Sequence, residues 1–328
     1  MYALGADTSN IELVRGYGLC YTVSAPLFIF SSSLQSFIRN DKSPRHAMIA
    51  VLTGSGLNIL LDYLFIFVFK MGMFGASFAT SIGTSITVCI LVIHFFTKKN
   101  TMRFSFRFFS IKALWEIAKC GFSSFLIECA NAVLVFVFNH TLLKYIGSVG
   151  VTVYSIMSNV AVVCMSLFNG VTLAAQPIIA TNHGADNHKR VLQVRHIGTI
   201  TSSVIAVIIF CVGFFFPDLL IYSYVKGPTP EILELARYAL RIYFFAYLFM
   251  NFNIFFSGYF QSTLRPVAAI TIQILRSLLL SSVLVSVLPM IFGADAIWYA
   301  VPITECITFF VAMAFLFFGR FQKTKEAK

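Results

Sequence analysis

Residues 47–69 read AMIAVLTGSGLNILLDYLFIFVF, an apolar run that carries one charge, Asp62, and is closed by Arg45 and Lys70 on either side. A helix rises about 1.5 Å per residue, so about 20 such residues cross the roughly 30 Å of hydrocarbon in a bilayer. The run is therefore read as a membrane-spanning helix and not as the core helix of a globular domain. Working outward from it, eight more gaps between charges have comparable length, at approximately 13–38, 74–97, 114–143, 149–181, 194–216, 232–262, 266–291 and 294–319. The connections hold Pro, Gly and polar clusters such as Asp41-Lys42-Ser43-Pro44 and Lys226-Gly227-Pro228-Thr229-Pro230, which interrupt helices. The expected fold is an all-α polytopic membrane protein with nine transmembrane helices and no soluble domain.

Composition carries the same message. Of the 328 residues 58% are apolar and 11% are charged, and Phe alone contributes 37. Soluble domains are about 25% charged. A surplus of this kind needs lipid as solvent, which excludes a cytosolic enzyme and a nucleic-acid partner despite a net charge of +11. Sites for intramembrane catalysis are also missing, because neither HExxH nor GxSxG occurs. All seven cysteines, at 20, 89, 120, 129, 164, 211 and 306, sit in apolar stretches without a CxxC pair and are read as small core residues. No cofactor is expected.

Lys and Arg in short loops set orientation. Sixteen of them fall on one side of the nine spans and five (Arg15, Lys70, Lys144, Lys226 and Arg237) on the other. The richer side is expected to be cytoplasmic, which places the C-terminus inside and the N-terminus outside. An internal repeat is visible as well. At an offset of 222, Glu12-Leu13-Val14-Arg15 matches Glu234-Leu235-Ala236-Arg237, Tyr21 matches Tyr243 and Pro44 matches Pro266. At 221, Gly72 matches Gly293 and Ala79 matches Ala300. The first three spans therefore pair in parallel with the last three, as in a two-lobe transporter of twelve helices represented here by helices 4 to 12. Residues 1–97 form a partial N-terminal lobe, 98–112 a basic linker, 113–320 a six-helix C-terminal lobe and 321–328 a tail.

Several motifs then resemble those of the multidrug and toxic compound extrusion (MATE) family, and of its bacterial MepA-type branch. They are LQSFIRNDKSPR at 34–45, NILLDYLFIF at 58–67, MGMFGASFAT at 71–80, QPII at 176–179 and NHGADNHKRV at 182–191. The resemblance runs along the whole chain. It implies two six-helix lobes around a central cavity, and export of amphipathic, often cationic small molecules driven by inward H+ or Na+. Asn58, Asp62 and Thr80 match positions of a cation site in the N-terminal lobe, whose further acidic residue belongs to a first helix that this chain lacks.

The residues themselves support that chemistry. A carboxylate at the centre of a span costs about 2.5–3.5 kcal/mol on insertion scales and so marks function by default. Asn58 and Asp62 are four apart on one helical face, and their oxygens suit a hard cation such as Na+, while burial would let Asp62 carry a proton instead. Glu128 is expected deep in the fourth span, as a second coupling residue or paired with Arg241 or Arg276. Glu305 is read as a structural partner of Arg276. Tyr243, Tyr247 and Asn251 form a stripe at spacings of four, and with Gln176 they are expected to line a substrate cavity by stacking and cation–π attraction. His183 and His188 are read as solvated loop residues. The competing readings are a lipid-linked oligosaccharide flippase, which wants more cavity cations than Arg241 and Arg276, and a non-transporting remnant.

Overall fold

The computed structural model describes residues 11–98, 100–102 and 110–326. The chain divides into two compact units, Met1–Phe109 and Ser110–Lys328, and every regular element among the described residues is helical. Lys99 and Arg103–Phe109, most of the expected basic linker, lie outside the described residues, as do Ser9 and the last two positions of the tail.

The first unit holds α1 (Ile11–Val23), α2 (Ala25–Asn40), α3 (Pro44–Tyr63) and α4 (Gly72–Ile93). The span expected at 13–38 is split between α1 and α2. Pro26 explains the split: it has no N–H to donate and is tolerated in a helix's first turn, so α2 starts there instead of continuing α1. α3 runs on through a π-helical turn, Leu64–Val68, and α4 through a 3-10 turn, His94–Phe96. α4 packs against α1, α2 and α3, and at one end Leu34, Ile38, Ala47, Ala50, Val88 and Leu91 form the apolar core.

The second unit holds α5 (Ile111–Tyr145), α6 (Ser148–Gly184), α7 (His188–Phe215), α8 (Pro217–Tyr224), α9 (Pro230–Phe244), α10 (Tyr247–Ser262), α11 (Pro266–Ile274), α12 (Leu280–Phe292) and α13 (Ala300–Glu326). α10 is central and packs on α6, α7, α11 and α13. Phe168, Phe244, Tyr247, Trp298 and Leu240 fill one cluster of the core, and Phe255, Phe260, Ile179 and Ile272 a second. A π-helical turn, Leu275–Leu279, joins α11 to α12.

Six of the described helical stretches are long and apolar enough to cross a membrane: 44–68, 72–96, 148–184, 188–215, 266–292 and 294–317. A seventh is made by α9 with α10, bent by 46° at Phe245 and Ala246. Between 6% and 39% of each of the six apolar windows is buried inside the protein, so most of their apolar surface faces outward, as lipid requires.

The two ends of the expected repeat share local backbone. α2 and α10 each close with a residue in the left-handed region two positions before a proline, Lys42 (φ 55°) before Pro44 and Leu264 (φ 56°) before Pro266. In each, the N–H after that residue returns to the carbonyl five positions back, Ser43 to Ile38 at 3.2 Å and Arg265 to Phe260 at 2.8 Å. The helix break at Ser24 likewise corresponds to the one at Ala246.

Candidate functional site

α3 and α4 meet at a pair of glycines. A Cβ on Gly54 would lie 1.8 Å from the Thr87 hydroxyl and 2.6 Å from the Gly83 carbonyl, and one on Gly83 would lie 2.8 Å from the Gly54 carbonyl and 2.9 Å from Asn58 Cβ. Only hydrogen fits at either position, and the backbones close to a distance that side chains would forbid. The consequence lies one turn further along. Asn58 Nδ2 reaches Thr80 Oγ1 at 3.5 Å, and that hydroxyl donates to the Ala76 carbonyl at 3.0 Å. Asp62, one turn beyond Asn58, has its Oδ1 buried with no hydrogen-bond partner among the described residues. A buried carboxylate oxygen without a donor is costly unless a proton or a cation meets it. The structure thus brings Asn58 and Thr80 into contact and leaves Asp62 unsatisfied beside them, with the π-helical turn following directly.

The second unit contains a different polar centre. Arg276, in the turn 275–279, donates from Nε and Nη2 to Glu305 Oε1 at 3.0 and 2.8 Å. Asn253 on α10 donates to Glu305 Oε2 at 2.7 Å and to its backbone carbonyl at 2.9 Å. Both carboxylate oxygens are engaged in a nearly dry setting, with Arg276 as the counter-charge of Glu305. The π-helical turn also releases the Arg276 carbonyl from the regular ladder, and Ser281 Oγ donates to it at 2.6 Å. Arg276 is therefore the partner of Glu305 and not of Glu128. Glu128 itself is exposed on α5.

The expected cavity residues differ in their surroundings. Tyr247 and Asn251 are fully packed inside the second unit. Asn251 Nδ2 donates to the carbonyls of Tyr247 and Leu248, and its Oδ1 accepts from Ser202 at 3.3 Å. Tyr243 is on α9, across the 46° bend from Tyr247, yet the two rings stay in contact edge to face with centroids 5.6 Å apart. Gln176 sits over Gly258 and donates to Gln261 Oε1 at 3.3 Å.

One polar cluster was not read from the sequence. Asp41, between α2 and α3, accepts from the Thr101 hydroxyl and from its N–H at 3.1 Å, and meets His94 Nε2 at 2.7 Å. His94 is 1% exposed, its ring lies 5.6 Å from that of His46, and His46 Nε2 lies 2.8 Å from the Ile90 carbonyl. The Thr101 hydroxyl, then His94, hold the Asp41 carboxyl below the usual carboxylate range. The partners are 53 and 60 residues from Asp41, so no local spacing reveals them.

Comparison with known proteins places this geometry. The MatE family model matches residues 120–287, just over half of the chain. The multidrug export protein MepA of Staphylococcus saprophyticus is 26% identical over 99% of this chain and 71% of its own length. MepA of Staphylococcus aureus is 24% identical, covering 98% of this chain and 71% of its own length. A multidrug resistance MATE transporter of the MOP superfamily, solved facing outward, superposes with a TM-score of 0.87 at 20% identity over 98% of this chain and 72% of that one. A MOP superfamily transporter from Pyrococcus furiosus superposes with a TM-score of 0.89 at 21% identity over 99% and 73%.

Proposed function

The chain belongs to the MatE family, and from that premise we propose that it is a cation-coupled antiporter exporting amphipathic, often cationic drugs or toxic compounds across a bacterial plasma membrane. The similarity to multidrug export proteins supports the class of substrate. The observation that carries the coupling is the unpaired, buried Oδ1 of Asp62 beside Asn58 and Thr80. Inward H+ or Na+ satisfies that oxygen, and its release on the other side frees the carboxylate for the next cycle. Work is available because one charge crossing the membrane is worth about 2.3 kcal/mol per 100 mV.

Glu128 is the second coupling residue in this reading. It has no Lys or Arg beside it in sequence and is exposed on α5. Lipid would disfavour it there by about 2.5–3.5 kcal/mol, so the face of α5 that carries it meets water and substrate. Tyr243 and Gln176 remain substrate contacts, whereas Tyr247 and Asn251 act by packing.

Counting α5, the pair α1 and α2, and the bent pair α9 and α10 as one span each brings the total to nine. With the richer basic side inside, the C-terminus is cytoplasmic. The matched turns at Lys42 and Leu264 support a parallel duplication. Asp62→Asn and Glu128→Gln keep shape and hydrogen bonding while removing the titratable charge. Each is expected to lower efflux of a cationic dye from cells at unchanged protein level, and wild-type efflux in both variants would return the two carboxylates to a structural role.

A further inference from the structure

α4 addresses two neighbours with consecutive residues. Thr80 turns its hydroxyl to Asn58 on α3, and Ser81, about 100° further round the helix, turns its own to the junction of α1 and α2. There the Ser24 hydroxyl donates to Ser81 Oγ at 2.7 Å, and Ser81 Oγ donates in turn to the Ser77 carbonyl at 2.8 Å. Cys20 Sγ lies 3.7 Å from the same hydroxyl. Both serines are buried, so little water competes for the bond. Thr84 and Ser85, the next hydroxyls along α4, donate instead to the Thr80 and Ser81 carbonyls of their own helix, at 2.9 and 2.8 Å.

Ser24 is the residue at which the first span breaks. Its N–H closes α1 on the Cys20 carbonyl at 3.1 Å, and its own carbonyl accepts from the Leu27 N–H of α2 at 2.9 Å. A serine in that place ordinarily caps the following helix by accepting from one of its first N–H groups. Ser24 makes no such bond and gives its hydroxyl to α4 instead. Tyr21 and Phe28, on either side of the break, stack with ring centroids 4.9 Å apart and brace it. We propose that Ser81 is a positioning residue of the coupling site. Anchored by Ser24, it fixes the rotation of α4 about its axis, and with it the approach of the Thr80 hydroxyl to Asn58 and Asp62. The glycine crossing sets how near α3 and α4 come, and the Ser24–Ser81 bond sets which face of α4 is presented there. The proposal rests on the reading of Asp62 as the residue that meets the coupling ion.

The test measures flux of a cationic dye in vesicles of the full chain while the driving H+ or Na+ is titrated, which separates the half-saturating ion concentration from the maximal rate. Ser81→Ala and Ser24→Ala should each raise the half-saturating concentration by about fivefold, the scale of one lost hydrogen bond, and keep the maximal rate. The double variant should go no further than either single one, because both remove the same bond. Ser85→Ala, which removes a hydroxyl bonded within its own helix, should behave as the wild type. Should Ser81→Ala fail to fold, Ser24→Ala decides, since it leaves α4 unaltered. Asp62→Asn is run beside them. If it abolishes ion-dependent flux while the Ser24 and Ser81 variants match Ser85→Ala, the proposal is overturned and the coupling reading stands. If Asp62→Asn leaves ion-dependent flux intact, or the wild type shows none, both are overturned. A fall in maximal rate at an unchanged half-saturating concentration, or additive effects in the double variant, would give Ser81 a merely structural role and overturn the proposal.

Discussion

Asp62 and Glu305 are both carboxylates within apolar helices, yet their surroundings separate their roles. Glu305 has every oxygen engaged and a guanidinium at 2.8 Å, whereas Asp62 has an oxygen that no side chain among the described residues serves. A fully hydrogen-bonded ion pair suits architecture, and a carboxylate with a vacant acceptor suits exchange. Glu305→Gln therefore leaves Arg276 buried without a counter-charge, and removing one partner of such a pair costs about 3–5 kcal/mol. A lower melting temperature in detergent is expected, and a melting curve like that of the wild type would show that Arg276 finds water or another acceptor. Asp41 makes a prediction of pH. Its carboxyl sits below its ordinary value of 3.8, so the folded chain favours the ionised form. The contribution is complete above that ordinary value and is lost as pH falls through the lower folded one. Exchange of the Thr101 amide, bonded to Asp41, should accelerate only on strong acidification, and acceleration near neutral pH would contradict this origin. The i,i+4 pairing of Asn58 with Asp62 was legible in the sequence because helical period fixes it. The Asp41 cluster was not, because tertiary closure over 60 residues assembles it.

At the scale of elements, the glycine pair does most to build the coupling site. Gly83 touches Gly54 and Asn58, so any larger residue pushes α3 from α4 and separates Asn58 from Thr80. Gly83→Val is expected to cost about 1–3 kcal/mol in melting experiments, in the range of overpacked cores. It should also abolish coupling even though Asp62 is intact, and preserved coupling would show that the α3–α4 spacing does not matter to the site. Helix existence was readable from the gaps between charges, since that pattern is set by the bilayer itself. Breaks were harder. Pro26 marks the start of α2, but the 46° bend at Phe245 and Ala246 has neither Pro nor Gly beside it. Both α9 and α10 pack on α6, α7 and α13, so the bend is set by tertiary packing that no local residue marks. Tyr243 and Tyr247 keep ring contact across that bend, while Tyr247 and Asn251 are buried, which a spacing of four alone does not reveal.

For the molecule as a whole, outward apolar surface, two helical units and an asymmetric distribution of Lys and Arg belong to one account. Cysteines placed at Ser9 and Lys325 should label from opposite faces of the membrane if the proposed nine spans and the sixteen-to-five division of basic residues set the topology. Labelling of both from one face would remove the topology and with it the direction of transport. The family was legible from short motifs because they cluster at the turns and crossings that the fold needs, such as Lys42-Ser43-Pro44 and the stretch from Asn58 to Asp62. Which compounds are carried was not, because a recess for flat cations is made by packing among distant helices.

The central claim is that an ion gradient moves a cationic compound through this protein by way of Asp62. Everted membrane vesicles holding the chain, set against empty vesicles, are given an imposed H+ or Na+ gradient in the presence of a fluorescent cationic dye. The account predicts gradient-dependent dye movement above background that Asp62→Asn removes at equal protein level. Movement no greater than in empty vesicles under either gradient, or movement unchanged by Asp62→Asn, would contradict it.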